Sequence, residues 1–430
     1  MRTILVYLLF VASLFADSFE LKEGETFLFL GDSITHKGFY TSYVETYFVT
    51  CYPERKLKFI NAGISGDKAK DALDRFEEDV AIHKPNYVSI MLGMNDGGYK
   101  DFDQEIFKVY KNDMAEVLKS IQKLNATAIV ITPTNFDQQQ YTRRTAEPDF
   151  RFNRLKASNH YNATMAFFGA WMREEAMKHQ LPFINFWGPL NDLTVSQRES
   201  EPEFTFNQDS IHPEAPGHAI MAASFITDLS VDRKAVSALN ATYLKGEWKL
   251  KAKNGHVSNI QGNPETLSFD FKAGSLPWVL PEEAALGYAL TKSGHKLSNE
   301  RLSISGLSPG SYRISINGQD LGKKFSHLQL EKKIELQENK LTPQYQQAAQ
   351  VAILIQQKFH ESIVPYRNLQ AKMKGQRRKH GIDAPQVKEF RLKLQPQLDE
   401  LMKKSSELDR EIRKAAQPQN LRYLIQKVDK

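Results

Sequence analysis

The chain has 430 residues, 41% hydrophobic and 25% charged, with 57 Lys and Arg against 51 Asp and Glu for a net charge of +6. This is the composition of a globular chain that can bury a sizeable core; it excludes a disordered one, and the length suits two or three folding units. The single Cys51 excludes an internal disulfide framework and a Cys-rich metal site, and it reads as part of a packed helix end.

Taken in order, the chain begins with Arg2 and an apolar run from Ile4 to Phe15, too short to span a bilayer, followed by Ala16-Asp17. That pattern predicts a secretory signal peptide over residues 1–16, the alternative being a retained N-terminal anchor. The expectation is an exported protein, periplasmic or secreted, with no stable membrane span after cleavage. From Glu25 to about Leu229, strand-length apolar runs alternate with segments of helical spacing. The strands are expected at Phe27 to Leu30, Lys58 to Asn61, Tyr87 to Leu92, Ala128 to Thr132 and Phe183 to Asn185. Helices are expected near Tyr40 to Val49, Lys68 to Ile82, Gln104 to Leu124, His160 to His179 and Ala215 to Asp228. Such alternation predicts an α/β domain over residues 17–230, with a parallel sheet covered on both faces.

In such a sheet the ligand site lies beyond the carboxyl ends of the strands. The first strand runs into Gly31-Asp32-Ser33 and the second into Ser65-Gly66-Asp67. The third runs into Gly93-Met94-Asn95-Asp96, and Asp209-Ser210-Ile211-His212 follows the fifth. Each piece alone is ordinary turn or capping chemistry. Together they put Ser, Gly, Asn and an Asp-x-x-His pair on one rim. A serine hydroxyl needs a base to take its proton, and an imidazole needs a carboxylate to fix its tautomer. Asp209 and His212 are close enough in sequence to meet locally. His36 lies near Ser33 with nothing in the sequence to orient it, and His218 reads as a structural or surface residue. No metal-ligand spacing occurs, so no cofactor is expected.

The four segments resemble the four sequence blocks of the SGNH or GDSL-type hydrolases, over about half of the chain. The matching pieces are Gly31-Asp32-Ser33, Ser65-Gly66, Gly93-x-Asn95-Asp96 and Asp209-x-x-His212. Ile34 stands where the group has its eponymous leucine. The resemblance implies a flavodoxin-like three-layer sandwich with a five-stranded parallel sheet, and hydrolysis of carboxylic esters through an acyl-enzyme. It further implies Ser33, Asp209 and His212 as catalytic residues, with an oxyanion hole made by the Ser33 and Gly66 N–H groups and the Asn95 amide. Asp32, Tyr99, Asn135 and Tyr141 are the expected substrate-binding residues. The insertion from Phe136 to Asn159 is the expected lip; being polar, it favours a short acyl group such as acetyl on a small-molecule or saccharide carrier. A lysophospholipase or thioesterase, and a catalytically idle domain acting through the C-terminal half, stand as alternatives.

Beyond Ser230 the character changes. Short runs at Leu267 to Phe271, Leu302 to Ser305 and Tyr312 to Ile316, with a hairpin signal at Asn317-Gly318, predict a small β-rich unit over residues 231–340. Residues 341–430 read as a basic helical region interrupted by Pro365, Pro385, Pro396 and Pro418. Leu394, Leu398, Leu401, Leu408 and Ile412 are spaced to line one helix face. The cluster Lys372, Lys374, Arg377, Arg378 and Lys379 would suit an anionic polysaccharide if it is free, and a solvated helix face otherwise; nucleic acid is not an expected partner for an exported chain.

Overall fold

Along Phe27-Leu28-Phe29-Leu30 the side chains alternate between two faces of a sheet. Phe27 and Phe29 enter one core with the Phe39–Cys51 and Ala215–Asp228 helices, while Leu28 and Leu30 enter another with the Gln104–Lys123 and Tyr161–Lys178 helices. The computed structural model describes residue 19 and residues 21–231 and 235–428; the expected signal peptide at 1–16 lies outside them. Strands β1 (Thr26–Gly31), β2 (Lys58–Gly63), β3 (Tyr87–Met91), β4 (Thr127–Ile131) and β5 (Phe183–Ile184) form one parallel sheet in the order β2-β1-β3-β4-β5. This is the doubly wound order whose strand direction of travel reverses between β1 and β3, where a crevice opens. The three-layer α/β sandwich is the one expected.

One expected helix is broken. Residues 68–82 form three short turns, Ala69–Asp74, Phe76–Asp79 and Ala81–His83, because the Arg75 side chain is drawn into the interior. There its guanidinium donates to Asp67, Asp79 and the Ala62 carbonyl, contacts that outweigh regular helix geometry.

The second half contains a β-sandwich. Strands β6 (Ser237–Leu244), β7 (Glu247–Lys253), β8 (Gly255–Asn263), β9 (Thr266–Ala273), β10 (Glu300–Ser305), β11 (Ser311–Ile316), β12 (Gln319–Ser326), β13 (Ile334–Glu335) and β14 (Asn420–Val428) make two sheets, ordered β13-β10-β6-β7 and β12-β11-β14-β9-β8. They share a core that includes Leu239, Phe269, Ile304, Ile314 and Ile425. The expected boundary at 340 needs correction: β14 lies inside the region read as helical, yet it pairs with both β9 and β11. Its alternating Leu421, Tyr423 and Ile425 are an ordinary strand signal that the flanking helical composition hid.

Between β13 and β14 run the helices Pro343–Lys358, Val364–His380 and Pro385–Ala415, the first two joined by a π-helical turn. Pro385 sits at a helix start, where a missing N–H costs nothing, Pro365 directly follows the π-helical turn within a continuous helical stretch, and Pro396 lies inside the last helix without interrupting it. Leu394 and Leu398 pack against Leu369 and Met373, and Ile412 packs against Val351 and Ile355, so the expected apolar face is used. These helices also pack on the α/β domain: Lys358 is buried between Glu45 and Asp409. At Gly38 (φ +68°) a Cβ would collide with the Phe359 ring, so that packing requires glycine. Among the described residues no helix is long and apolar enough to cross a membrane.

Candidate active site

β1 ends at Gly31, and Ser33 opens the short helix Ser33–Lys37, where a helix leaves its N–H unpaired. Asp32 caps that helix, its Oδ1 accepting from the Ile34 N–H at 3.0 Å. On the facing segment Ser210 has φ +75°, and the turn it creates folds the chain back on Asp209. Asp209 Oδ1 then accepts from the Ile211 and His212 N–H groups at 3.0 and 2.8 Å, and Oδ2 lies 2.7 Å from His212 Nδ1. The other imidazole nitrogen, Nε2, lies 2.7 Å from Ser33 Oγ. Burial pushes the Asp209 carboxyl up, but the hydrogen bond and charge of His212 together with the two backbone donors outweigh it, and the group is held below its ordinary range. An ionised Asp209 fixes the proton on Nδ1 and leaves Nε2 to accept from the serine.

Asn95 is held at both ends of its amide. Its Nδ2 donates to the Asp67 carbonyl at 3.0 Å, and its Oδ1 accepts from the Tyr99 hydroxyl at 3.2 Å. Tyr99 reaches that position from a left-handed backbone, φ +60°. Gly66 has φ +70°, and among the described residues its N–H has no acceptor. The structure thus brings Ser33, Gly66, Asn95, Asp209 and His212 around one open cleft of about 390 Å³, lined also by His36, Lys37, Ser65, Tyr99, Arg151 and Phe152.

The Ser65-Gly66-Asp67 turn is supported from behind by the C-terminal helices. Lys374 donates to the Ser65 carbonyl at 3.2 Å and lies 2.7 Å from Asp67 Oδ1. His36 Nδ1 accepts from the Ser65 N–H at 3.2 Å, while its Nε2 lies 3.1 Å from Asn368 Oδ1. Burial, then the charge of Arg367, lowers His36 to about 4 against the opposing pull of Asn368, so it is a neutral strut. Behind Asp67, Arg75 and Arg367 converge on the buried Asp79. The basic cluster is divided: Lys374 and Arg377 are buried and pair with Asp67 and Glu78, whereas Arg378, which pairs with Asp71, and Lys372 and Lys379 are exposed. The expected solvated face is thus confined to Lys372, Arg378 and Lys379.

Of the expected substrate-binding residues, Tyr99 lines the cleft. Asp32 is buried beneath it, its carboxyl raised to about 6 by burial against the Ile34 N–H. Asn135 and Tyr141 are placed elsewhere, which corrects both. Asn135 is buried with its carbonyl accepting from Asn207, and Tyr141 packs on Phe136 and Phe150 with its hydroxyl accepting from the Ala157 N–H. The 136–159 insertion reaches the cleft through Arg151 and Phe152 instead, the Phe152 ring centroid 6.1 Å from that of His212.

Residues 29–220 match the model of the GDSL-like lipase/acylhydrolase family. The match covers the α/β domain and all the residues gathered at the cleft, a little under half of the chain. An acetylxylan esterase of Geobacillus stearothermophilus is 26% identical over 237 residues, covering 50% of this chain and 97% of its own. A crystal structure of a catalytic mutant of the acetylxylan esterase Axe2 from that organism aligns with 49% of this chain and 97% of its own, at 25% identity and a TM-score of 0.39. A gut microbial diltiazem-metabolizing enzyme aligns over 95% of this chain and 99% of its own, at 22% identity and a TM-score of 0.80. That structure shares the fold of nearly the whole chain, β-sandwich and terminal helices included. The α/β domain and the elements behind it are thus part of one shared architecture.

Proposed function

We propose that the protein is an exported serine esterase that removes a short acyl group, such as acetyl, from a saccharide. The observation that carries the reading is the hydrogen-bonded series Ser33 Oγ, His212 Nε2, His212 Nδ1 and Asp209 Oδ2, with both links at 2.7 Å, opening into a polar cleft. As Ser33 Oγ attacks the acyl carbon, its proton passes to His212 Nε2. Asp209 holds the resulting imidazolium. The N–H groups of Ser33 and Gly66 and the amide of Asn95 receive the oxyanion. Collapse breaks the ester bond, and His212 returns the proton to the leaving sugar oxygen. A water, deprotonated in turn by His212, then releases the acyl group from Ser33.

The cleft lining favours a short acyl group: Lys37, Ser65, Asn95 and Arg151 would leave a long alkyl chain against polar surface, a cost that apolar pockets avoid. The name of the acetylxylan esterase relative points to an acetylated sugar carrier. Export rests on the leader-like sequence of residues 1–16. Hydrolysis of nitrophenyl acetate, butyrate and octanoate, and of acetylated xylo-oligosaccharides, tests the reading, with Ser33→Ala as control. Acetate preference, abolished by Ser33→Ala, supports it; octanoate preference would turn it toward a lipase or thioesterase, and wild-type rates in Ser33→Ala would remove the nucleophile. Fractionation of cells producing the tagged chain tests export.

A further inference from the structure

The cleft carries positive charge that the proposed reaction does not use. Lys37 closes the short helix that Ser33 opens, Arg151 comes from the 136–159 insertion, and both line the cleft. Other cations around the site are matched by acids: Lys374 by Asp67 and Asp71, Arg75 by Asp67 and Asp79, Arg367 by Asp79. In the insertion, Arg143 and Arg144 pair with Glu203 and Glu147. Among the described residues, neither Lys37 nor Arg151 has a carboxylate partner. Each rests against a ring, the Lys37 Nζ 5.7 Å from the Phe39 centroid and the Arg151 guanidinium 5.0 Å from that of Phe152. Ring contacts leave the N–H donors of both cations free. The one carboxylate lining the cleft among the described residues is Asp209, and it is engaged by His212.

We infer that the ester taken by this cleft carries a carboxylate on its alcohol portion, as an acylated acidic saccharide does, and that Lys37 and Arg151 are the residues that select it. The inference rests on the esterase reading above and names its substrate class. A guanidinium offers a carboxylate two parallel donors, and an ammonium adds a point charge that adapts its position. Neither cation must first give up an internal partner, so the full interaction is available to the ligand. Charge-assisted hydrogen bonds of this kind are worth about ten-fold or more in affinity each. Both cations line the same cleft as Ser33.

The test compares kcat/KM of the full chain on an O-acetylated methyl glucuronide with that on the same compound whose carboxylate is converted to the amide. Nitrophenyl acetate serves as the common reference. The acid is expected to be preferred about ten-fold or more at low salt. The preference should fall toward unity in 1 M NaCl, where screening acts over about 3 Å, and in Lys37→Gln or Arg151→Gln, whose thermal melts verify folding. Equal rates on acid and amide, or a preference that both variants keep in full, would overturn the inference while hydrolysis of nitrophenyl acetate left the esterase reading standing. No hydrolysis of any of the three esters would overturn both.

Discussion

Asn95 and His36 do different work within one small volume. With its amide fixed between the Asp67 carbonyl and the Tyr99 hydroxyl, Asn95 would serve the proposed mechanism as a donor placed before charge develops, in which case Asn95→Ala should lower kcat by about 10² to 10³ and leave KM nearly unchanged. Steady-state kinetics on an acetyl ester checks this. Asp209→Ala should retain measurable turnover, because the oxyanion donors remain. His36 titrates near 4 when folded against 6.5 when free. As pH falls from about 6.5 to 4, the unfolded chain takes up a proton that the folded one refuses, and stability is lost over that window. A shift of this size corresponds to about 3 kcal/mol. Asp32 and Asp96, raised by burial to about 6 and about 7, act with the opposite sign and lose stability as pH rises, so the His36 contribution must be read as a difference. Urea denaturation of wild type and His36→Gln should show the wild-type advantage at pH 7 shrinking by roughly that amount at pH 4.

At the scale of elements, the 364–380 helix is where the sequence spoke least clearly. Its basic residues resemble a free surface because the acids that receive them, Asp67, Asp71 and Glu78, lie about three hundred positions away and belong to a turn and helix read on their own terms. Nothing local marks Asn368 as the partner that orients His36. By contrast, the Ser33, Gly66, Asn95 and Asp209–His212 placements were legible, because each follows a strand end and a parallel sheet gathers strand ends at one rim. Asn135 follows β4 but is buried away from the cleft, with its backbone carbonyl accepting from Asn207, a burial that strand periodicity does not encode. The buttress gives a prediction of its own. In Lys374→Met, Asp67 keeps Arg75, so the fold should survive, while the turn bearing Gly66 loses two contacts. The expected outcome is a fall in kcat of about ten-fold with KM little changed, since a misplaced oxyanion donor acts on the transition state; an unaltered kcat would leave Lys374 with a purely structural role.

For the whole molecule, the division into a catalytic half and appendages fails on contacts. The Lys358–Glu45, Arg367–Asp79 and Lys374–Asp67 pairs all join the terminal helices to the α/β domain through buried charges. Without the terminal helices Glu45 loses Lys358 and stands uncompensated in the interior, at a cost of about 3 to 5 kcal/mol, a large part of the total stability of a domain, while Asp67 and Asp79 are left sharing Arg75 alone. A chain ending at residue 340 should therefore be insoluble or protease-sensitive rather than a smaller esterase, as expression and limited proteolysis would reveal. The sequence signals favoured separable units because composition changes near 230 and 340, but composition does not record which buried charges face one another.

The position of β14 bears on the order of events during synthesis. β9 ends at Ala273 and β11 at Ile316, yet the strand that lies between them begins only at Asn420. On the ribosome, both neighbours emerge with an unpaired edge each and wait through the three terminal helices for their partner. Exposed edges of that kind recruit other chains. Nascent molecules that stall in this interval would be the ones to depend on chaperones, and the sandwich closes only when its last strand threads in.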